Sequence, residues 1–172
     1  MKFKNLLLTI AISALPFAAV NAQALNDHQI AEILETANDA EIDAAKLAED
    51  DAENKEVKEF AKHMINEHKM NNKDMKAVVK KTKIDPEKSE LSKALKEDAK
   101  AKKDLLKKQD DMAFDKLYIE QQITMHQQLL NDLEQKFIPA AQKPEFKAHL
   151  EKTKTHVQAH LEKAKALQAK IQ

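Results

Sequence analysis

The stretch PEFKAHLEKTKTHVQAHLEKAKALQAKI, residues 144–171, carries the clearest structural signal in the chain. Phe146, Leu150, Thr153, Val157, His160, Ala164, Leu167 and Ile171 recur at alternating steps of four and three, with lysines and glutamates between them. That spacing puts them on one face of an α-helix. Pro144 fits the first turn, where an amide proton has no helical partner. The face is apolar except at Thr153 and His160.

Three more segments read the same way. The first begins near Asn26, where Asn26 and Gln29 have capping-box spacing, and ends in Glu49-Asp50-Asp51. Its stripe is Ile30, Leu34, Ala37, Glu41, Ala44 and Ala48, flanked by Ile33 and Leu47. The second runs from near Asn54 to about Lys83, with Val57, Ala61, Met64, His68, Asn71, Met75 and Val78 on the stripe and Phe60 beside it. The third runs from about Asp111 to Phe137, carrying Ile119, Gln122, His126, Leu129 and Leu133, widened by Phe114, Tyr118 and Met125. Between the second and third lies a shorter lysine-rich segment, Pro86 to about Gln109, whose apolar content is Leu91, Leu95, Leu105 and Leu106. Asp85-Pro86 reads as its N-cap and first helical residue.

Composition points the same way. The chain has 172 residues, 42% of them apolar and 34% charged, with no glycine, cysteine or tryptophan. The basic residues are all lysine. Without glycine there is no phosphate-cradling loop, dinucleotide fingerprint or G-x-S-x-G elbow. Without cysteine there is no disulfide, zinc finger, iron–sulfur cluster or thiol nucleophile. Tight hairpins lean on glycine, so an all-β fold is disfavoured. The predicted class is all-α. Four long helices, each with one apolar stripe, satisfy those stripes by facing one another in a four-helix bundle. The long, partly helical crossover between helices two and three could run the length of the bundle and make those two helices parallel, as in ferritin-like folds.

Residues 1–22 read as a secretory signal peptide. Lys2 and Lys4 form the positive start, Leu6 to Val20 is the apolar run, and Val20-Asn21-Ala22 offers a cleavage site, with Ala22-Gln23-Ala24 a second. The run is short for a span of ~20 residues, so no transmembrane segment is expected after cleavage. Residues 23–172 then form one domain, periplasmic or secreted. Removing Lys2 and Lys4 leaves 27 of the 29 basic residues against 29 acids, a formal charge of −2. That balance and an aromatic content of 4% give no basis for nucleic-acid binding.

Glu41-Ile42 with Lys46-Leu47-Ala48, then Val57-Lys58-Glu59-Phe60-Ala61 and Met64-Ile65-Asn66-Glu67-His68, then Phe114-Asp115-Lys116-Leu117-Tyr118, His126 and His160-Leu161 form a recurring set. Together they resemble the exported family known as domain of unknown function DUF 4142, over nearly the whole chain after residue 22. The resemblance implies a ferritin-like bundle in the bacterial envelope. The family has no established activity, and its members are often labelled predicted outer-membrane proteins, although this chain has no β-barrel pattern. A glycine expected before the Phe-Asp pair is replaced here by Asp110-Asp111-Met112-Ala113.

Each long helix carries one ionisable residue on its stripe: Glu41, His68, His126 and His160. Reflection across the predicted loops brings all four within ~9 Å along the axis, at about 1.5 Å per residue. One shared site and two stacked sites both fit, and His156 could stand in for His160. Tyr118, Glu67 and Glu120 are the expected neighbours. Three imidazoles and a carboxylate suit a transition metal such as Zn, Fe or Cu. The same residues could instead form a hydrogen-bonded core network, with Glu41 pairing a protonated histidine. Di-iron carboxylate bundles use paired Glu-x-x-His motifs. None occurs here, and Glu59–His63 and Glu145–His149 have spacing four. His28, His63, His149 and His156 read as solvated. Met64, Met75 and Met125 are at core spacing, where methionine fills gaps. No Ser/His/Asp arrangement emerges, which points away from an enzyme.

Two functions are therefore expected. One is a non-enzymatic envelope protein, acting in envelope maintenance or stress tolerance through a protein partner or as a homo-oligomer. The other is a periplasmic metal-binding protein with a buried Glu/His site.

Overall fold

A computed structural model describes residues 25–171. The proposed signal peptide, residues 1–22, lies outside them. Regular structure among the described residues is helical throughout: α1 (Asp27–Asp51), α2 (Lys55–Thr82), α3 (Glu90–Leu106), α4 (Asp111–Asp132), a π-helical turn (Leu133–Phe137), the short α5 (Ile138–Ala140) and α6 (Pro144–Ile171). None of the described helices is long and apolar enough to cross a membrane.

The ends of α1 and α2 follow local chemistry. Asn26 Oδ1 accepts from the Gln29 amide at 2.9 Å while Gln29 Oε1 accepts from the Asn26 amide at 3.3 Å, completing the expected box. Asn54 caps α2 by accepting from the Glu56 amide. Lys83 ends α2 in the left-handed region, at φ 57°. Asp111 takes φ 50°, so a left-handed residue stands in the segment where the family resemblance led us to expect glycine. An aspartate there carries a steric cost that glycine would not.

The crossover helix starts later than the Asp85-Pro86 reading predicts. Ser89 and Ser92 form the capping box at the head of α3, each side-chain oxygen accepting from the other's amide. This reciprocal pair satisfies two free amides, which Asp85 does not do. The Asp85 backbone instead meets His28, whose Nδ1 lies 2.7 Å from its carbonyl oxygen. His28 is thus half-buried rather than solvated. α3 also stops at Leu106, short of Gln109.

Cross-helix contacts give the directions. Glu56–Lys170, Glu67–His156, Asp74–Lys152 and Lys81–Glu145 are rungs between antiparallel α2 and α6. Lys58–Asp50, Asn38–Asn72 and Glu35–Lys76 do the same for α1 and α2. Phe114 and Tyr118 at the start of α4 share an apolar cluster with Ala164 and Ile171 at the end of α6, and Leu133 and Phe137 just after α4 share one with Phe146 and Leu150 at its start, so α4 is antiparallel to α6 and α2 and α4 run parallel. α3 returns along the outside, tied to α1 by Lys103–Asp43 and to α4 by Gln121, which donates to the Lys102 carbonyl oxygen.

Two buried aspartates pin the ends of the molecule. Asp27 accepts from the Gln142 and Lys143 amides at 2.9 and 3.0 Å, holding the start of α6. Asp115 accepts from the Glu53 and Asn54 amides at 3.1 and 2.8 Å, holding the start of α2. Hydrogen bonds to a charged group contribute about 1.5–3 kcal/mol each. Asp115→Ala is therefore expected to cost at least about 3 kcal/mol, read from urea denaturation, with Asp115→Asn recovering less than half of it. A loss below about 1 kcal/mol would remove this role.

The apolar core is split in two. One cluster gathers Ala45, Val57, Phe60, Met64, Phe114, Tyr118, Ile119 and Ala164. The other gathers Ile30, Leu34, Met75, Leu133, Phe137, Phe146, Leu150 and Val157. In each of the four long helices the ionisable stripe residue falls between the two clusters, so the polar side chains form a layer at the seam.

Candidate metal centre

His68, His126 and His160 come together in that layer. One ligating nitrogen from each lies within 4.8 Å of the others. Ring centroids are 5.9 Å apart for His68–His126 and 5.4 Å for the other two pairs. The exposures are 4%, 1% and 3%. A tetrahedral site with bonds of about 2.0–2.1 Å spaces its nitrogens roughly 3.4 Å apart, so contraction of up to about 1.4 Å would close the triangle on an ion.

The surrounding hydrogen bonds decide which nitrogens are free. The Asp39 carboxylate only accepts, so the Asn72 amide group donates to it at 2.9 Å. Asn72 Oδ1 then accepts from Asn38 Nδ2 at 2.8 Å, and Asn71 Oδ1 accepts from the same group at 2.9 Å. Asn38 Oδ1 is left facing His68 Nδ1 at 2.8 Å, which must therefore carry the proton. His126 Nδ1 donates to the Gln122 backbone carbonyl at 2.8 Å. In both rings the proton sits on Nδ1 and the lone pair on Nε2. His68 Nε2, His126 Nε2 and His160 Nδ1 have no hydrogen-bond partner. Outer donors and acceptors of this kind fix ring orientation in metal sites.

Burial, followed by the neighbouring His126 and His160, holds the His68 imidazolium far below the usual histidine range. His160 is pushed down to about 3, again mainly by burial and then by His126. Both are neutral at pH 7 and available as donors. A neutral nitrogen donor is what Zn, Cu, Fe and Ni accept.

Glu41 is buried beside the triangle but is not one of its three members. Its Oε2 accepts from Gln122 Nε2 at 2.7 Å, and Oε1 lies 3.8 Å from His126 Nδ1. No lysine approaches it among the described ion pairs. Glu41 thus lies on the Nδ1 side of the His126 ring, away from its unpartnered Nε2. Tyr118, fully buried with an unpartnered hydroxyl, has its ionisation pushed well up by burial and then by Glu41.

The remaining candidates separate. His156 lies outside the triangle, half-exposed, with Nδ1 3.0 Å from Glu67. Glu67 is thereby engaged away from the centre, and Glu120 is exposed. His63 stacks edge-on against His160 at 5.6 Å, its Nε2 accepting from Lys163. His149 is buried, at 6% exposure, contrary to the solvated reading, because it flanks Leu150 on the inward side of α6. Sequence reasoning missed Asn38. Its signal was a polar residue four positions after Leu34 on the inward face.

Comparison with curated proteins and with solved structures finds no match. The family model described as Domain of unknown function (DUF4142) matches residues 13–167, and the chain belongs to that family.

Proposed function

We propose that this chain is an exported, ferritin-like four-helix-bundle protein that holds one transition-metal ion, Zn, Fe or Cu, on His68, His126 and His160. One observation carries the reading. Three buried imidazoles each carry a nitrogen without a partner, and one nitrogen of each lies within 4.8 Å of the others, with two of the rings in tautomers fixed by outside hydrogen bonds. A buried acceptor left unsatisfied costs about 1–3 kcal/mol, so three together are a poor way to build a core and an ordinary way to build a ligand set. The network alternative needs these nitrogens bonded to one another or to Glu41. The buried Glu41 carboxylate supports the same reading, since a neighbouring dication offsets the cost of burying it.

The single nearby carboxylate favours metal holding over carboxylate-bridged di-iron oxidation. The envelope assignment rests on residues 1–22 and the family resemblance. In that compartment the protein would serve stress tolerance or envelope maintenance by holding metal rather than by turning over a substrate.

The test is elemental analysis of tag-free protein purified after cleavage of residues 1–22. About one equivalent of Zn, Cu or Fe is expected, falling below roughly a tenth in the His68→Ala/His126→Ala double variant. Protein that stays metal-free after incubation with all three ions would leave only the scaffold reading.

A further inference from the structure

A cavity of about 260 Å³ lies between α1, α3 and α4 and reaches the histidine layer. Ile33, Leu91, Leu95, Leu129 and Phe137 form its apolar walls, while Glu41, His68 and His126 line its buried side. We infer that this cavity is the ligand chamber of the metal centre, taking a small molecule with an apolar body and one anionic head, of the arylcarboxylate class. This rests on the metal reading of the same histidines.

Size comes first. An apolar protein cavity of about 150 Å³ stays dry and admits benzene, so this one has room for a substituted aromatic ring. Access comes second. Only Ser92 and Leu106 of α3 are fully buried, and Leu91 remains 37% exposed, so the covering helix is held by few apolar contacts. That weak hold follows from its lysine-rich sequence. Chemistry comes third. Three imidazoles would leave a tetrahedral ion bound there one further position. A dication beside the single Glu41 carboxylate would leave the buried end with net positive charge, which would select an anionic head. The charged groups on the solvent side are already paired, Lys102 with Asp98 at 2.6 Å and Lys136 with Asp132 at 2.7 Å, so they neither compete for the head nor replace the metal.

Two probes separate the parts. Toluene, which needs no metal, is added to chelator-treated protein while the methyl resonances of Ile33, Leu91, Leu95 and Leu129 are followed. Benzoate is titrated into Co(II)-loaded protein while the visible absorption of the ion is followed. Toluene is expected to shift those methyls, and benzoate to change the Co(II) spectrum but not to bind the metal-free protein. Ala37→Leu fills the chamber from α1 and is expected to weaken both by at least tenfold, with Co(II) affinity within twofold. Ala99→Leu does the same from α3 and serves if the first variant misfolds. Absence of toluene shifts, or benzoate binding that neither variant weakens, overturns the chamber. Protein that takes up toluene but no Co(II) overturns the metal reading, and the anionic-head assignment falls with it.

Discussion

Replacing His160 with leucine is expected to raise the stability of the metal-free protein while destroying metal binding. The described structure gives His160 no hydrogen bond, and its Nδ1 is buried without a partner. Leucine removes that unmet acceptor and adds apolar contact between the flanking Val157 and Ala164. The gain should be about 1–2 kcal/mol in urea denaturation of chelator-treated protein. Loss of even an outer partner of a metal ligand costs about 10–100-fold in affinity, so loss of a ligand should cost at least about 100-fold, read by zinc titration. The opposite signs matter. A structural network predicts that His160→Leu destabilises, and such a result would remove the metal proposal. A functional site carried at the expense of stability predicts the trade just described.

The metal-free protein should also lose stability steeply between pH 7 and pH 4.5. His68 and His160 are both held below their unfolded value near 6.5. Between 6.5 and the folded value, about 3 for His160, the unfolded chain binds protons that the folded chain refuses. Stability from these groups is therefore complete above pH 6.5 and is lost as pH falls through that window. Each group contributes a slope approaching about 1.4 kcal/mol per pH unit. Over two units His160 alone gives a loss on the order of 3 kcal/mol, a sizeable part of the whole stability of many domains, and His68 adds to it in the same direction. Burial lowers His149 as well and adds to the same limb. Urea denaturation at pH 7, 6, 5 and 4.5 measures it. In His160→Leu the slope should become shallower, and a flat wild-type profile would remove the burial of these imidazoles as its cause.

Much of this was readable from spacing. The three-four alternation placed His68, His126 and His160 on inward faces because a helix repeats every 3.6 residues, and all three are buried. The same rule blurred neighbours. On α1 it chose Ala37 and Ala44 where the structure buries Asn38 and Ala45, since adjacent residues sit only about 100° apart and a wide stripe accepts either. That blur hid Asn38, and with it the chain of amides that sets the His68 tautomer. His149 was misread for a related cause: glutamate and lysine neighbours outweighed its place beside Leu150. The head of α3 was misplaced because Asp-Pro is a common helix opening, while the Ser89–Ser92 pair closes the stronger reciprocal cap.

Residue spacing was enough to show that residues 25–171 are helical, where the long helices run and which face of each turns inward. These depend on residues a few positions apart, and the missing glycine and cysteine close off the competing chemistries. The packing of the helices, by contrast, brings three histidines together with Glu41 behind one of them, sets which nitrogens are free, and makes α3 the roof of a cavity leading to them. Those facts depend on how far one helix slides against another. A shift of one residue moves a side chain by about 1.5 Å along the axis, which local periodicity cannot register and a ligand triangle cannot tolerate.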